Sequence, residues 1–162
     1  MWYFGDMQRV PRGVFVLVKE IMRHVLRRPV VGVAIVARDE GGRYLLVRRA
    51  DTGTWALPGG TLEWGETLTA CIPRELREET NAEALGEPKL VGVYSAPWRD
   101  PRFHGVTVVV ECRVRAPDPR AENPVEIREA RFFAEGDLPA EMAFGMKDML
   151  DVVRLGREPH VE

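Results

Sequence analysis

Three glutamates in one short segment are spaced so that they can bind a cation together. Glu75, Glu78 and Glu79 stand at positions i, i+3 and i+4, and residues at this spacing lie on one face of a helix. Carboxylates crowded on one face repel each other, so the spacing indicates that a positive group lies among them. A site with only oxygen ligands suits hard cations such as Mg²⁺ or Mn²⁺, whereas zinc prefers nitrogen and sulfur. Because magnesium shares its coordination shell with phosphate oxygens, a diphosphate-containing substrate is the expected partner.

The residues around these glutamates predict a tight turn followed by a helix. Residues 58–60, Pro-Gly-Gly, form a turn whose backbone can approach a ligand closely, because glycine has no Cβ. The apolar positions that follow predict a helix from about Leu68 to Thr80. Pro73 lies inside that range, where a proline removes a helix hydrogen bond. The helix is therefore expected either to start late, near Ala70, or to have a loosened first turn.

A solvated acidic helix face would also carry three glutamates, but the order of residues across the whole segment favours a functional site. It resembles the Nudix box, the 23-residue loop–helix element of the Nudix hydrolases, which here runs from Gly60 to Ala82. The matching positions are Gly60, Glu66, Arg74, Glu75, Glu78 and Glu79. Asn81 stands where the family has glycine, and asparagine also adopts the left-handed conformation that ends a helix. Flanking stretches such as "LLVRR" and "EARFFAEGDLP" extend the resemblance to about Val30 to Leu155.

The resemblance implies a fold, a cofactor and roles for the box residues. The implied fold is α/β (α+β), with a Nudix-type mixed β-sheet sandwiched between helices. The implied activity is Mg²⁺- or Mn²⁺-dependent hydrolysis of a diphosphate linkage in a nucleoside diphosphate substrate. The implied metal ligands are the backbone carbonyl of Gly59 and the carboxylates of Glu75, Glu78 and Glu79. Arg74 is expected to orient these carboxylates through a salt bridge, and Glu66 to brace the loop.

The base that takes the proton from the attacking water varies in this family and often lies outside the box. Three glutamates near the acidic loop before the last predicted strand are candidates, namely Glu122, Glu126 and Glu129. Glu126 is the first choice among them.

A loop downstream of the box, "YSAPWRDPRFHG" from Tyr94 to Gly105, resembles the loop of Nudix enzymes that act on ADP-ribose and other nucleoside diphosphate sugars. Its candidate substrate ligands are Arg99, Arg102 and His104 for phosphate, and Tyr94 and Trp98 for stacking on a base. The alternative is an internally bridged turn with a structural role. Arg49, on the strand before the box, is a further phosphate candidate, and a salt bridge from Arg49 to the box is the other interpretation.

Two other functions remain open at this point. A house-cleaning nucleoside triphosphate pyrophosphatase would use the same metal site with a different base pocket. A non-catalytic Nudix-like domain that senses a nucleotide would be free to lose box carboxylates, and none is missing here. An RNA-cap enzyme is disfavoured, because no extended basic surface follows the box.

The elements that must position these residues follow from the hydrophobic pattern. Val30 to Arg49 predicts a hairpin-like pair of strands, and residues 55–57 predict a short third strand. Three more strands are predicted at Lys89 to Ser95, Gly105 to Val114 and Ile127 to Ala134, and a final helix at Phe144 to Leu155. Strands flanked by two helices predict a mixed sheet covered on its faces.

Residues 1–29 form an extension ahead of the predicted domain of residues 30–155, which a tail of residues 156–162 follows. The extension holds six Lys or Arg residues against two acids, and Val14 to Arg28 has helical periodicity. A basic amphipathic helix can meet a membrane surface or another subunit, so a homodimer is possible. The favoured interpretation is a helix packed on its own domain.

Composition excludes several classes of protein. A net charge of −2 over 162 residues argues against a stable nucleic-acid partner, because such binding depends on many contacts from Lys and Arg to phosphate. Cys71 and Cys112 are too few for a metal cluster or a disulfide framework. No transmembrane segment or export signal is visible, so a cytoplasmic location is expected.

Overall fold

The computed structural model describes residues 16–18, 20–22, 28–121 and 124–162. Within these residues the chain forms a mixed sheet of seven strands in the order β3-β2-β1-β5-β4-β7, with β6 paired to β2. The strands are β1 (Val30–Arg38), β2 (Tyr44–Arg49), β3 (Trp55–Ala56), β4 (Glu83–Tyr94), β5 (Gly105–Arg115), β6 (Ile127–Phe133) and β7 (His160–Val161). Besides the helical residues 16–18 and 20–22, the described chain has the helices α1 (Leu68–Thr80) and α2 (Met146–Arg154), with short 3₁₀ turns at Glu135–Asp137 and Ala143–Gly145.

Strand β1 lies at the centre of the sheet. Its successive side chains point to opposite faces of the sheet and so meet different helices. Ala34 and Val36 pack in the same cluster as Met149 and Leu150 of α2. The intervening side chains of Val33, Ile35 and Ala37 pack with Cys71, Ile72 and Leu76 of α1. The near-continuous apolar run of β1 is explained by this burial on both faces. The predicted fold, a mixed sheet between helices, is confirmed.

Strand β4 begins six residues earlier than the predicted start at Lys89. Its first half contains a glycine and a proline, which the sequence pattern assigns to a loop. Pairing with β5 nevertheless keeps this half extended, and the register shifts between Leu85 and Lys89. Strand β7 was not predicted at all. It pairs in parallel with β4 through only two residues, a length at which hydrophobic periodicity gives no signal.

Helix α1 begins and ends close to the predicted residues. Its N-cap is Thr67, whose Oγ1 accepts a hydrogen bond from the backbone N–H of Ala70 at 3.2 Å. The late start near Ala70 is therefore wrong, and Pro73 lies within a continuous helix. The helix ends at Asn81, which adopts the left-handed conformation with φ 54° and ψ 30°. Asn81 donates its backbone N–H to the carbonyl of Arg77 at 2.9 Å.

The described part of the N-terminal extension is helical at residues 16–18 and 20–22, and all six residues are exposed. This exposure is not what a helix packed on its own domain would show. The other residues of the predicted helix, which are residues 14–15, 19 and 23–27, lie outside the described residues. None of the helices within the described ranges has the length and apolar character needed to cross a membrane.

The left-handed conformation of Asn81 gives a stability prediction. Asn81→Ala should lower the free energy of unfolding by about 1 kcal/mol, because alanine tolerates this conformation poorly. Asn81→Gly should stay close to the parent chain, because glycine adopts it without steric cost. Urea denaturation measures both. Equal losses in the two variants would assign the effect to the lost Asn81 side-chain bond to the carbonyl of Asp118, 3.3 Å long, and would contradict the backbone explanation.

Candidate active site

The Pro-Gly-Gly turn lies directly against the backbone of β1. The N–H of Val33 donates to the carbonyl of Gly60, and the N–H of Ile35 donates to the carbonyl of Pro58, both at 2.8 Å. A Cβ on Gly59 would overlap the carbonyl oxygen of Val33, and Gly59 has φ 147°. Only glycine fits at this position, because both the space and the dihedral exclude a side chain.

Glu79 connects this turn to helix α1. Its Oε2 accepts a hydrogen bond from the N–H of Gly59 at 2.8 Å. Burial raises the pKa of Glu79 to about 8, and the nearby charges of Glu75 and Glu126 act in the same direction. The bond from Gly59 only partly offsets these effects. A bound cation would favour the charged carboxylate here, so the site has the electrostatic character of a cation site.

Arg74 lies among the other acidic residues of the segment. It donates to Glu66 Oε1 at 2.8 Å, to Glu75 Oε1 at 2.9 Å and to Glu78 Oε2 at 3.3 Å. The salt bridge that the sequence predicts for Arg74 is therefore present. The hydrogen bond from Arg74 lowers the pKa of Glu66 to about 2, and Glu66 also accepts from the N–H of Glu63 at 3.0 Å. These contacts brace the loop that precedes the helix.

Glu75, Glu78 and Glu79 of the box line one cavity, called the acidic cavity below. Its lining includes the acids Asp51, Glu75, Glu78, Glu79 and Glu126 and the bases Arg49, Arg74 and Arg102. In the part of the chain that the structure describes, no three His, Cys, Asp or Glu side chains already surround one point. Arg74 instead bonds oxygens of Glu75 and Glu78, and the N–H of Gly59 bonds an oxygen of Glu79. The donor chemistry, all oxygen with a buried carboxyl of raised pKa, fits Mg²⁺ or Mn²⁺.

A second cavity, called the adjoining cavity below, opens beside the acidic cavity and is more apolar. Its lining includes Tyr94, Phe144, Met146 and Met149. The two cavities share six lining residues, which are Arg49, Gly59, Gly60, Thr61, Arg102 and Phe103. A ligand can therefore reach from the carboxylates into an apolar recess past two arginines.

The two arginines at this junction already have carboxylate partners. Arg49 pairs with Asp51, with 2.6 Å between Nη2 and Oδ2, so its salt bridge goes to Asp51 and not to the box. Arg102 pairs with Asp100, with 2.7 Å between Nη2 and Oδ2. The internally bridged turn predicted as an alternative for this loop is thus present. Both guanidinium groups nevertheless line both cavities.

Arg99 is bound to a residue that the sequence analysis did not single out. Its Nε and Nη2 each donate to the carboxylate of Glu162 at 2.9 Å. Glu162 also accepts the N–H groups of Ser95 and Ala96, at 3.1 Å and 2.9 Å, so it fixes the start of the loop. Nothing in the sequence signals this contact, because 63 residues separate the partners. Arg99 lines the adjoining cavity with its charge already compensated.

Tyr94 and Trp98, which the sequence predicts to stack on a base, are not positioned for that stacking. The ring of Tyr94 lies 4.8 Å from the Arg99 guanidinium carbon and 5.3 Å from the His160 ring, which cover it. Its buried hydroxyl has no hydrogen-bond partner among the described residues. Trp98 is exposed and His104 bonds the carbonyl of Ser95 at 2.8 Å, and neither lines the adjoining cavity.

The three candidates for the general base lie in different places. Glu126 lines the acidic cavity, close enough to Glu79 to influence its pKa. Glu129 lies on β6 and pairs with Arg131 at 3.6 Å, and it does not line that cavity. Glu122 lies outside the described residues.

Comparison with known proteins identifies the family. Residues 27–153 match the family model of the NUDIX domain. The chain belongs to the NUDIX family. The enzyme class predicted from the sequence, a Nudix hydrolase, is thereby confirmed.

Three known members illustrate the range of the NUDIX family around this chain. The chain is 38% identical over 120 residues to the ADP-ribose pyrophosphatase of Methanocaldococcus jannaschii, covering 72% of this chain and 68% of that protein. It is 38% identical over 66 residues to a putative 8-oxo-dGTP diphosphatase of Bacillus subtilis, covering 41% of this chain and 44%, less than half, of that protein. The MutT NUDIX hydrolase structure from Burkholderia pseudomallei superposes with a TM-score of 0.66 at 27% identity, covering 77% of this chain and 98% of that chain.

The raised pKa of the Nudix-box residue Glu79 gives a pH prediction for the metal-free protein. In the folded protein Glu79 keeps its proton up to about pH 8. In the unfolded chain the carboxyl loses this proton near its usual pKa of 4.5. The folded state thus binds more protons between these values, so stability falls as pH rises through this window. With EDTA present, the thermal midpoint should fall from pH 5 to pH 8, and Glu79→Gln should flatten that fall.

Glu87→Gln serves as the matched control, because Glu87 is exposed and does not line the acidic cavity. This variant should keep the parent's pH dependence. A Glu79→Gln protein whose midpoint falls as steeply as the parent's would show that Glu79 is already ionised at neutral pH.

Proposed function

We propose that this chain is a metal-dependent pyrophosphohydrolase that cleaves the diphosphate linkage of a nucleoside diphosphate derivative. ADP-ribose or another nucleotide sugar is the favoured substrate. The observation that carries the proposal is the junction of the two cavities. Carboxylates suited to a divalent cation line one side, an apolar recess lies on the other, and Arg49 and Arg102 border both.

The residues of the acidic cavity have separate tasks in this proposal. Glu75, Glu78 and Glu79 hold the divalent cation, with the carbonyl of Gly59 as a further ligand. The bound cation supplies Lewis-acid polarisation of the phosphate and a water of lowered pKa. Arg74 keeps the carboxylates oriented while the site is empty of substrate, because it bonds Glu75 and Glu78 directly.

Three further residues, Arg49, Arg102 and Glu126, act on the diphosphate and the attacking water. Arg49 and Arg102 bind the diphosphate oxygens, for which the planar guanidinium is well suited. Glu126 takes the proton of the water whose oxygen attacks one phosphorus. The bond from that phosphorus to the bridging oxygen breaks, which releases a nucleoside monophosphate and a sugar phosphate. The recess lined by Met146 and Met149 accommodates one end of the substrate.

The substrate ligands in this proposal differ in how well the geometry supports them. Arg49, Arg102, Arg99 and Tyr94 line the adjoining cavity, with Arg99 and the covered Tyr94 ring acting as its wall. Trp98 and His104 remain predictions that the cavity geometry does not support.

A house-cleaning pyrophosphatase acting on nucleoside triphosphates is the second candidate. The similarity to the Bacillus subtilis relative favours it, although the match is shorter than the match to the archaeal ADP-ribose pyrophosphatase. A nucleotide-sensing domain without activity is disfavoured, because all the box carboxylates are present and Glu75, Glu78 and Glu79 line one cavity.

The experiment is a hydrolysis screen with Mg²⁺ and with Mn²⁺ across nucleotide sugars, dinucleoside polyphosphates and nucleoside triphosphates. ADP-ribose or another nucleotide sugar should give the highest kcat/KM, and EDTA should abolish turnover. Efficient hydrolysis of deoxynucleoside triphosphates with no turnover of any nucleotide sugar would establish the second candidate instead.

Glu79→Gln should lower kcat on the best substrate by about two orders of magnitude or more, because it removes a charged cation ligand. Glu87→Gln, exposed and outside the acidic cavity, should keep parental kcat. Steady-state kinetics at saturating Mg²⁺ measures both variants. Turnover in EDTA, or a Glu79→Gln protein with near-parental kcat, would refute the metal assignment.

A further inference from the structure

Phe144 has a backbone conformation that its side chain disfavours. It lies in the left-handed region with φ 57° and ψ 24°, directly before Gly145, which is also left-handed at φ 65°. Among the described residues with side chains only Asn81 and Phe144 have positive φ. Asparagine tolerates this region, whereas for a bulky residue it is a genuine outlier. Such a conformation persists when the contacts of the side chain maintain it.

The cap of α2 does not explain Phe144. The N-cap residue is Gly145, and no side chain caps the first turn of the helix. A glycine or asparagine at position 144 would fit the same backbone with less strain. The contacts of the ring are therefore what distinguishes phenylalanine at this position.

The ring contacts both arginines at the junction of the cavities. The guanidinium carbons of Arg49 and Arg102 each lie 4.9 Å from the centroid of the Phe144 ring. An aromatic face attracts a cation at this distance. One ring thus holds two like charges close together, although alone they would repel.

Each arginine is fixed from two directions. Asp51 binds Arg49 and Asp100 binds Arg102, and the Phe144 ring contacts both guanidinium groups. Asp51 is also 3.8 Å from Nη1 of Arg102, so the contacts connect the two arginines to one another. Long arginine side chains lose much rotational freedom in such an arrangement. The free-energy cost of ordering both arginines when a ligand binds is therefore smaller.

We propose that Phe144 is a positioning residue that holds Arg49 and Arg102 in the arrangement that binds the two phosphates of a nucleoside diphosphate. This inference rests on the proposed function, because it takes the junction of the cavities as the place of the diphosphate. Phe144 acts through the arginines and takes no part in the chemical step.

The test compares Phe144→Leu, which removes the ring, with Phe144→Tyr, which keeps it. Phe144→Leu should weaken binding of inorganic diphosphate in Mg²⁺, measured by calorimetry, about five- to tenfold, as expected when binding must order two arginine side chains that the ring no longer positions. KM for the best substrate of the screen should rise by the same factor, with kcat within about twofold of the parent. Phe144→Tyr should restore both affinity and KM.

Two further variants control for folding and for the general effect of removing an aromatic ring. Phe144→Gly fits the left-handed backbone, which offsets part of the packing lost with the ring, so it should still unfold cooperatively on heating and still show the binding loss. Phe132→Leu removes a ring that lies 5.0 Å from the Arg43 guanidinium carbon, outside both cavities. It should leave diphosphate affinity and KM unchanged.

The outcomes separate this inference from the proposed function. Parental diphosphate affinity and KM in Phe144→Leu, or failure of Phe144→Tyr to restore them, would overturn the role of the ring. A parent protein that binds no diphosphate in Mg²⁺ would overturn it as well. If the parent hydrolyses no nucleotide but binds diphosphate, with the expected loss in Phe144→Leu, the inference stands and the proposed function fails.

Discussion

The close approach of the Pro-Gly-Gly turn to β1 determines the arrangement of the whole site. In its first half β1 gives hydrogen bonds to the turn, and in its second half it pairs with β2. Because Gly59 carries no side chain, its N–H can reach the carboxylate of Glu79 on the next helix. Main-chain hydrogen bonds thereby fix the turn to the strand, and the bond from the Gly59 N–H to the Glu79 side chain fixes the turn to the helix.

Two glutamates of the same motif have opposite electrostatic environments. Glu66 is paired with Arg74, which lowers its pKa to about 2, whereas burial raises the pKa of Glu79 to about 8. A carboxylate paired with an arginine contributes structure, whereas the half-buried Glu79 has no salt bridge among the described residues and would be stabilised in its charged form by a cation. Arg74 thus braces the loop through Glu66, and it also offsets the repulsion among the acids of the helix face.

The parts of the molecule that the sequence predicted are those fixed by local patterns. Helix α1 and the left-handed Asn81 follow from periodicity and capping chemistry, and the box glutamates follow from their spacing on that helix. The contacts around the adjoining cavity could not be predicted in this way. Glu162 meets Arg99 across 63 residues, and Phe144 contacts Arg49 at the end of β2, which is also distant in sequence. Such pairings depend on the assembled topology, which is also why the Tyr94 ring is covered while Trp98 is exposed.

The two sides of the site differ in when they can form during synthesis. A growing chain that has emerged as far as helix α1 already contains the turn, β1 and every box glutamate, whose contacts span short stretches of sequence. The wall around Tyr94 and Arg99 must wait for residues 160–162, because β7 and Glu162 complete it. A strand of two residues at the edge of a sheet is also among the least costly parts of that sheet to open. The recess is thus the last part of the site to close on the ribosome and the first to loosen in the folded enzyme.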